Sequence, residues 1–206
     1  MVFELLTNPI SFFAWFAALL VAISVHEFSH TLAAFKLGDS TAKYEGRLTL
    51  NPLAHLDPIG TLMILFAGLG WGKPVPVNPL NFDNPRRDHA LVALAGPFSN
   101  FLVGFILSLL LKLPWGASGL FLEIFLAPII ILNINIGIFN LLPILPLDGF
   151  SVVSGFLPQD LSFKWEELQQ YGLYILIFSL LPIFAGRSLI GIIISPITNL
   201  ILGVLL

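Results

Sequence analysis

The sequence predicts an all-α integral membrane protein of five to six transmembrane helices, with a short β or extended re-entrant region between the first two core helices. Three observations predict it. Hydrophobic residues make up 57% of the 206 residues and charged residues only 10%, where a soluble domain carries roughly 25% charged. Mean hydropathy is +0.94. The few charges are also gathered together, leaving uncharged runs close to the ~20 residues that a helix needs to cross a bilayer.

In chain order the runs are Leu5–Val25 (21 residues, with the helical pattern continuing to Leu37), His89–Leu111 (23), Ile124–Leu147 (24), Leu168–Gly186 (19) and Ser188–Leu206 (19). A sixth, Pro58–Gly72, has 15 residues and is broken by Gly60, Gly68, Gly70 and Gly72. That suits a re-entrant segment buried against protein better than a crossing. Basic residues choose the topology. If Pro58–Gly72 does not cross, Lys36, Lys43, Arg47, Lys73, Arg86, Arg87 and Lys164 share one side, against Lys112 and Arg187. If it does cross, the 7-to-2 split becomes 5 to 4. The positive-inside rule favours the first, with five crossings, the N-terminus outside and the C-terminus in the cytoplasm.

A net charge of −3 excludes a basic nucleic-acid binder, and the absence of cysteine excludes disulfides and thiolate metal ligands. No basic stretch precedes the first run, which reads as a retained span rather than a cleaved signal. The organisation expected is one polytopic membrane domain over 1–206, with a core at about 10–157 and C-terminal helices at 168–206.

Between the first two long runs, Arg47-Leu48-Thr49-Leu50 alternates like a short strand. The segment Gly72-Lys73-Pro74-Val75-Pro76-Val77-Asn78-Pro79 cannot be helix, since its prolines remove donors and fix φ. Pro74 and Pro76 delete donors along one edge of an extended strand, while Val75 and Val77 keep theirs on the other. Such a strand pairs on one side only. A proline-stiffened loop is the alternative.

Near the end of the first run stands His26-Glu27-Phe28-Ser29-His30. On a helix, His26 and His30 lie about 40° apart on one face and one turn along, so both imidazoles can reach one ion. Glu27 lies on the flank of that face, where a carboxylate can act on a water beside the ion without being a ligand. Chance matches to this pattern in a chain of this composition number about 0.002. Ionisable groups inside a span are costly and usually mark a function.

Catalytic zinc normally takes three protein ligands. The third is either Asp148, which closes a 24-residue uncharged run, or a member of the pair His55 and Asp57. Depth favours Asp148: the first run and Ile124–Leu147 cross in the same direction, so both deliver their polar residues near the inner end. His55 and Asp57 lie in a polar loop, where a turn or cap role is at least as fitting. Asn100, Asn133 and Asn135 read first as interhelical hydrogen-bonding groups, and Gly96 as a close-packing residue.

The His-Glu-x-x-His helix, followed by Asn140-Leu141-Leu142-Pro143-Ile144-Leu145-Pro146-Leu147-Asp148-Gly149 and by Ala95-Gly96-Pro97-Phe98-Ser99-Asn100 between them, resembles the site-2 proteases, intramembrane zinc metalloproteases. The resemblance covers roughly residues 20–150. The lack of an inserted domain is similar to the compact prokaryotic branch without a PDZ module. The resemblance implies one Zn2+ on His26, His30 and Asp148, Glu27 as catalytic base, and Asn140 near the centre, holding substrate or the oxyanion. It also implies a single-pass membrane protein as substrate. Leu145 and Phe150 stand where the family often has Pro and a second Gly; both lie beside the ligand rather than on it. Val75 and Val77 are the candidate substrate-pairing residues, and the active site is expected toward the cytoplasmic side of the cell membrane. The competing reading is a membrane metal-ion transporter using the same His and Asp. It calls for a path of further carboxylates or histidines, which the sequence barely supplies.

Overall fold

The computed structural model describes residues 7–67, 70–114 and 119–206, and its regular elements there are all helical. They are α1 (Pro9–Lys36), α2 (Thr41–Tyr44), α3 (Pro58–Ala67), α4 (Pro85–Leu111), α5 (Gly119–Asn140), α6 (Asp148–Phe156), α7 (Gln159–Glu166), α8 (Gly172–Leu180) and α9 (Leu189–Leu205). Local chemistry sets the main boundaries. Asn8 caps α1 by accepting from the Ser11 N–H at 3.2 Å, with Pro9 in the first turn. At α4, Pro85 again opens the helix, and the Asn84 N–H donates to the Asp88 carboxylate at 2.9 Å. The fifth helix stops at Asn140 because Pro143 lacks an N–H and would press on the carbonyl four residues back. The chain turns, and helix resumes at Asp148.

α4 sits at the centre, with α1, α5 and α6 packed around it. Its buried face reads Gly96, Asn100, Gly104, Ser108, and its exposed face reads Phe98, Leu102, Phe105, Leu109. That is the inverse of a water-soluble helix. In lipid no hydrophobic force draws helices together, so small residues that permit close backbone approach take the inside. α1 repeats the device with Ala14, Ala18 and Ala22, all buried. Ile130, Ile134 and Ile138 of α5 form an apolar cluster with Leu205 of α9 and with Phe101 and Leu107 of α4. The Ser108 hydroxyl and Lys112 ammonium donate to the carbonyls of Leu205 and Val204, both at 2.6 Å, closing the last turn of α9.

Among the described residues three helices are long and apolar enough to cross a membrane: Pro9–Lys36, Pro85–Leu111 and Leu122–Asn140 within α5. α9 is apolar but shorter, at 17 residues. Two expectations change. The run Leu168–Gly186 is not one continuous helix: a five-residue 3-10 turn at Glu167–Tyr171 leads into α8, whose nine residues span about 14 Å, half of a ~30 Å hydrocarbon core. The β region is also absent among the described residues. Arg47–Leu50 is irregular, and Lys73–Asn78 runs without a ladder partner: an isolated antiparallel bridge joins Gly72 to Leu56, and hydrogen bonds at Lys73 and Asn78 hold the two ends. Pro74 and Pro76 remove the donors of one edge, so no ladder can form on that side. α3, with ten residues, is about 15 Å long; Gly68 of that expected re-entrant run lies outside the described residues.

The loops on either side of this segment are clasped by Asp39, which is fully buried. Its carboxylate accepts from the Thr41 N–H (3.1 Å) and hydroxyl (2.5 Å), the Asn78 N–H (2.8 Å) and the Asn81 amide (2.7 Å). Burial pushes this carboxyl up, but those donors outweigh it and hold it below its ordinary 3.8. A depressed folded-state value means that the clasp contributes fully above the ordinary carboxylate range and is lost as pH falls through the lowered value. Asp39→Ala leaves several donors unpaired and is expected to cost roughly 1–3 kcal/mol. Thermal unfolding in detergent should show the deficit at neutral pH and its disappearance in strong acid.

Candidate metal centre

Helix periodicity places His26 and His30 one turn apart on the face of α1 that meets α4, and both are buried. Their Nε2 atoms are 3.0 Å apart. Asp148, at the first position of α6, brings Oδ2 to 3.0 Å from His26 Nε2 and 3.3 Å from His30 Nε2. The three residues sequence reasoning set together are together in space, and among the described residues they are the one cluster of three or more such groups with this geometry.

The donor chemistry tests what the cluster can hold. His30 Nδ1 lies 2.7 Å from the Val92 carbonyl, which can only accept, so Nδ1 carries the proton and Nε2 presents a lone pair. His26 Nδ1 faces Asn100 Oδ1 at 2.6 Å, with the same consequence. Two lone pairs and a carboxylate oxygen thus converge, an arrangement suited to a cation. The spacing also fits a small tetrahedral ion: bonds of about 2.0–2.1 Å imply ligand separations of about 3.3 Å.

Two glycines make room. A Cβ at Gly96 of α4 would stand 2.4 Å from His30 Nε2 and 2.7 Å from His26 Cε1, so nothing larger lets α4 lie against both rings. At Gly149 a Cβ would meet the Leu141 carbonyl oxygen at 2.2 Å, so the residue after Asp148 must be glycine for α6 to start where it does.

The remaining expected residues surround the cluster unevenly. Glu27 is half-buried on the flank, its carboxylate facing the backbone at Gly72, whose Cβ position would be 3.9 Å from Oε1. The loop after α3 therefore crosses directly over Glu27 and leads into Val75 and Val77; no acceptor for either N–H occurs among the described residues. Val77 also rests its side chain against the cluster of Ala34, Phe82 and Val92. Asn140 closes α5, half-buried, with its amide donating to Ile136 O at 3.0 Å. His55 and Asp57 stand apart from the cluster: His55 Nε2 donates to Thr49 O at 2.7 Å, and Asp57 Oδ1 caps the Gly60 N–H at 2.7 Å.

Sequence reasoning missed how Val92, Gly96 and Asn100 act together. Their four-residue spacing on one face of α4, matched to the four-residue spacing of the histidines, was the available signal. It also missed a cavity of about 190 Å³ lined by Arg86, His89, Ser151, Ser154 and Glu166. His89 is one turn from Val92 and Ser151 one turn from Asp148, so this polar space adjoins the cluster. A larger cavity of about 510 Å³, around Arg187, Ser188 and Ser195, lies at the start of α9 and offers none of the cluster's donors.

Comparison with known proteins agrees with this chemistry. Residues 117–183, which include Asn140 and Asp148, match the model for "Peptidase family M50". A Bacillus subtilis protein named "Putative zinc metalloprotease YwhC" is 44% identical over 161 residues, covering 75% of this chain and 74% of that one. The chain belongs to peptidase family M50, the site-2 protease family. Two relatives named "Putative zinc metalloprotease Rip2" are more distant. The Mycolicibacterium smegmatis protein is 27% identical over 183 residues (84% of this chain, 70% of that one), and the Mycobacterium tuberculosis protein 29% over 177 (82% and 68%). No solved structure matches this chain.

The two histidines of this M50 peptidase come from outside the stretch matched by the family model, and their packing against Gly96 gives a direct test. Gly96→Ala drives a methyl group into both rings. It is expected to weaken divalent-metal binding at least 10-fold, the scale seen when support around metal ligands is lost. Chelator competition on the purified protein measures it.

Proposed function

We propose that this chain is a membrane-embedded zinc endopeptidase that hydrolyses a peptide bond within or next to a transmembrane segment of a membrane-protein substrate. The observation that carries the reading is the convergence of His26 Nε2, His30 Nε2 and Asp148 Oδ2 within about one ligand–ligand distance of each other. His26, His30 and Asp148 would hold one Zn2+, which when bound supplies Lewis-acid polarisation of the scissile carbonyl and acidifies an attacking water.

Glu27 takes the proton of that water as it attacks and passes it to the leaving amine. Asn140, at the end of α5 one short turn before the Asp148 loop, holds substrate or the developing oxyanion. A substrate helix keeps its carbonyls in its own hydrogen bonds, so the scissile segment must unwind. Val75 and Val77 supply backbone donors along one edge of an extended segment, and the unwound substrate adds to that edge as a strand. Water reaches the centre through the polar cavity of Arg86, His89 and Glu166.

The protein is multi-pass in the cell membrane. α1, α4, α5 and α9 supply four crossings, and the fifth combines the 3-10 turn with α8, about 24 Å of continuous turn and helix. With α3 too short to cross, Arg86, Arg87, Lys73 and Lys164 share the cytoplasmic face, and the active site opens there.

Glu27→Gln is expected to retain zinc while lowering cleavage of a transmembrane test substrate about 10²- to 10⁴-fold, the usual worth of a general base. His26→Ala and Asp148→Ala should lose the metal as well. Zinc content measured beside cleavage tells these apart, and full activity in Glu27→Gln removes the hydrolase reading. The strand reading has its own check. Replacing Val75 and Val77 by proline should block cleavage with zinc content unchanged, and unaltered cleavage would discard it.

A further inference from the structure

Three buried amide contacts join the helices behind His26. Asn133 of α5 donates through Nδ2 to the Ile129 carbonyl at 2.8 Å. A backbone carbonyl only accepts, so this bond fixes which end of the Asn133 amide is which, and leaves Oδ1 facing α4. Oδ1 accepts from Asn100 Nδ2 at 2.8 Å. Asn100 Nδ2 also donates to the Ala22 carbonyl of α1 at 3.0 Å. Both protons of the Asn100 amide are therefore used, and its Oδ1 is the end turned to His26 Nδ1, 2.6 Å away. Asn100 and Asn133 are fully buried, so no water substitutes for a lost partner.

Resting on the zinc reading above, we infer that Asn133 is a positioning residue for the metal centre, acting through Asn100 to keep the proton of His26 on Nδ1 and its Nε2 lone pair free for the ion. The alternative orientation of Asn100 puts its NH2 against His26 and its oxygen against two acceptors, Ala22 O and Asn133 Oδ1. That orientation moves the His26 proton to Nε2, where no metal can bind. Asn133 supplies one of the two acceptors that forbid it, from a helix, α5, that itself carries none of the three candidate ligands. His30 needs no such relay, since its partner is the Val92 backbone carbonyl itself.

The test is a double-mutant cycle on full-length protein in detergent, read as the zinc dissociation constant from chelator competition. Asn100→Leu should weaken zinc about 10- to 100-fold, the range for partners one bond beyond a ligand, and Asn133→Leu about 10-fold or somewhat less. In the Asn100→Leu background, Asn133→Leu should weaken zinc no further, because its route to His26 is already gone. Asn133→Asp keeps an acceptor for Asn100 and should restore most of the affinity, which a packing defect would not allow. Asn133→Ala serves the same comparison if the leucine variant does not fold.

Equal zinc losses for Asn133→Leu in both backgrounds, or unchanged affinity for Asn133→Leu and Asn133→Ala in the wild-type background, overturn the relay alone. A wild-type protein that binds no zinc overturns the metal reading and the relay with it.

Discussion

The antiparallel crossing of α1 and α4 at Gly96 is the constraint on which the rest of this structure depends. Each helix offers groups at four-residue intervals, and the intervals are matched. His26 meets Asn100, His30 meets Val92, and Gly96 lies between with no side chain to hold the helices apart. Because one turn rises about 5.4 Å on both helices, a shift of either helix along the other would break both Nδ1 contacts together. The tautomers of both imidazoles, and so their capacity to bind an ion, are consequences of helix register. Asp148 is then added from one side by a helix that cannot begin elsewhere, since Gly149 lies against the Leu141 carbonyl.

Lipid imposes the remaining order. With apolar solvent outside, apolar side chains gain little by turning inward, and the interior is left to small and polar residues whose hydrogen bonds stitch the helices. Asn100 and Asn133 join α1, α4 and α5, and Thr198 joins α9 to Asn135 at 3.0 Å. The polar groups of the metal centre are thus one end of a network that also sets helix order. A site assembled this way is rigid before any ion or substrate enters, which suits tight ligand spacing.

The elements most legible in the sequence were those written in local chemistry. Runs free of charge marked α1, α4 and α5, although the third run continues to Leu147 while α5 stops at Asn140. The His26-to-His30 spacing put two imidazoles on one face, and the 24-residue uncharged run that Asp148 closes pointed to the third candidate ligand. What stayed hidden depends on facing surfaces. Asn100 and Asn133 read correctly as interhelical groups, but nothing in one sequence says that Asn100 faces an imidazole rather than another amide. The run Leu168–Gly186 has the composition of a span, yet its first part winds as 3-10 turn and only nine residues form α8. The cavity at His89 and Glu166 joins residues 77 positions apart, beyond any periodicity.

The loop over Glu27 shows how an irregular segment can be held as firmly as a strand. The Lys73 N–H donates to the His55 carbonyl at 2.8 Å, and the Lys73 carbonyl accepts from Arg47. Both backbone polar groups of that residue are therefore spoken for, and Pro74 restricts Lys73 itself to extended backbone. Arg47 is itself almost wholly buried, which commits a charged side chain to holding one peptide. His55, likewise buried, is fastened by its Nε2 to Thr49. Downstream, Asp39 fixes the far end of the segment through the Asn78 N–H. The stretch from Pro74 to Val77 is suspended between two anchored ends, directly after the peptide that covers Glu27. Pro74 and Pro76 remove the donors of one edge and the anchors hold both ends, so the edge that carries the Val75 and Val77 N–H groups stays open near Glu27.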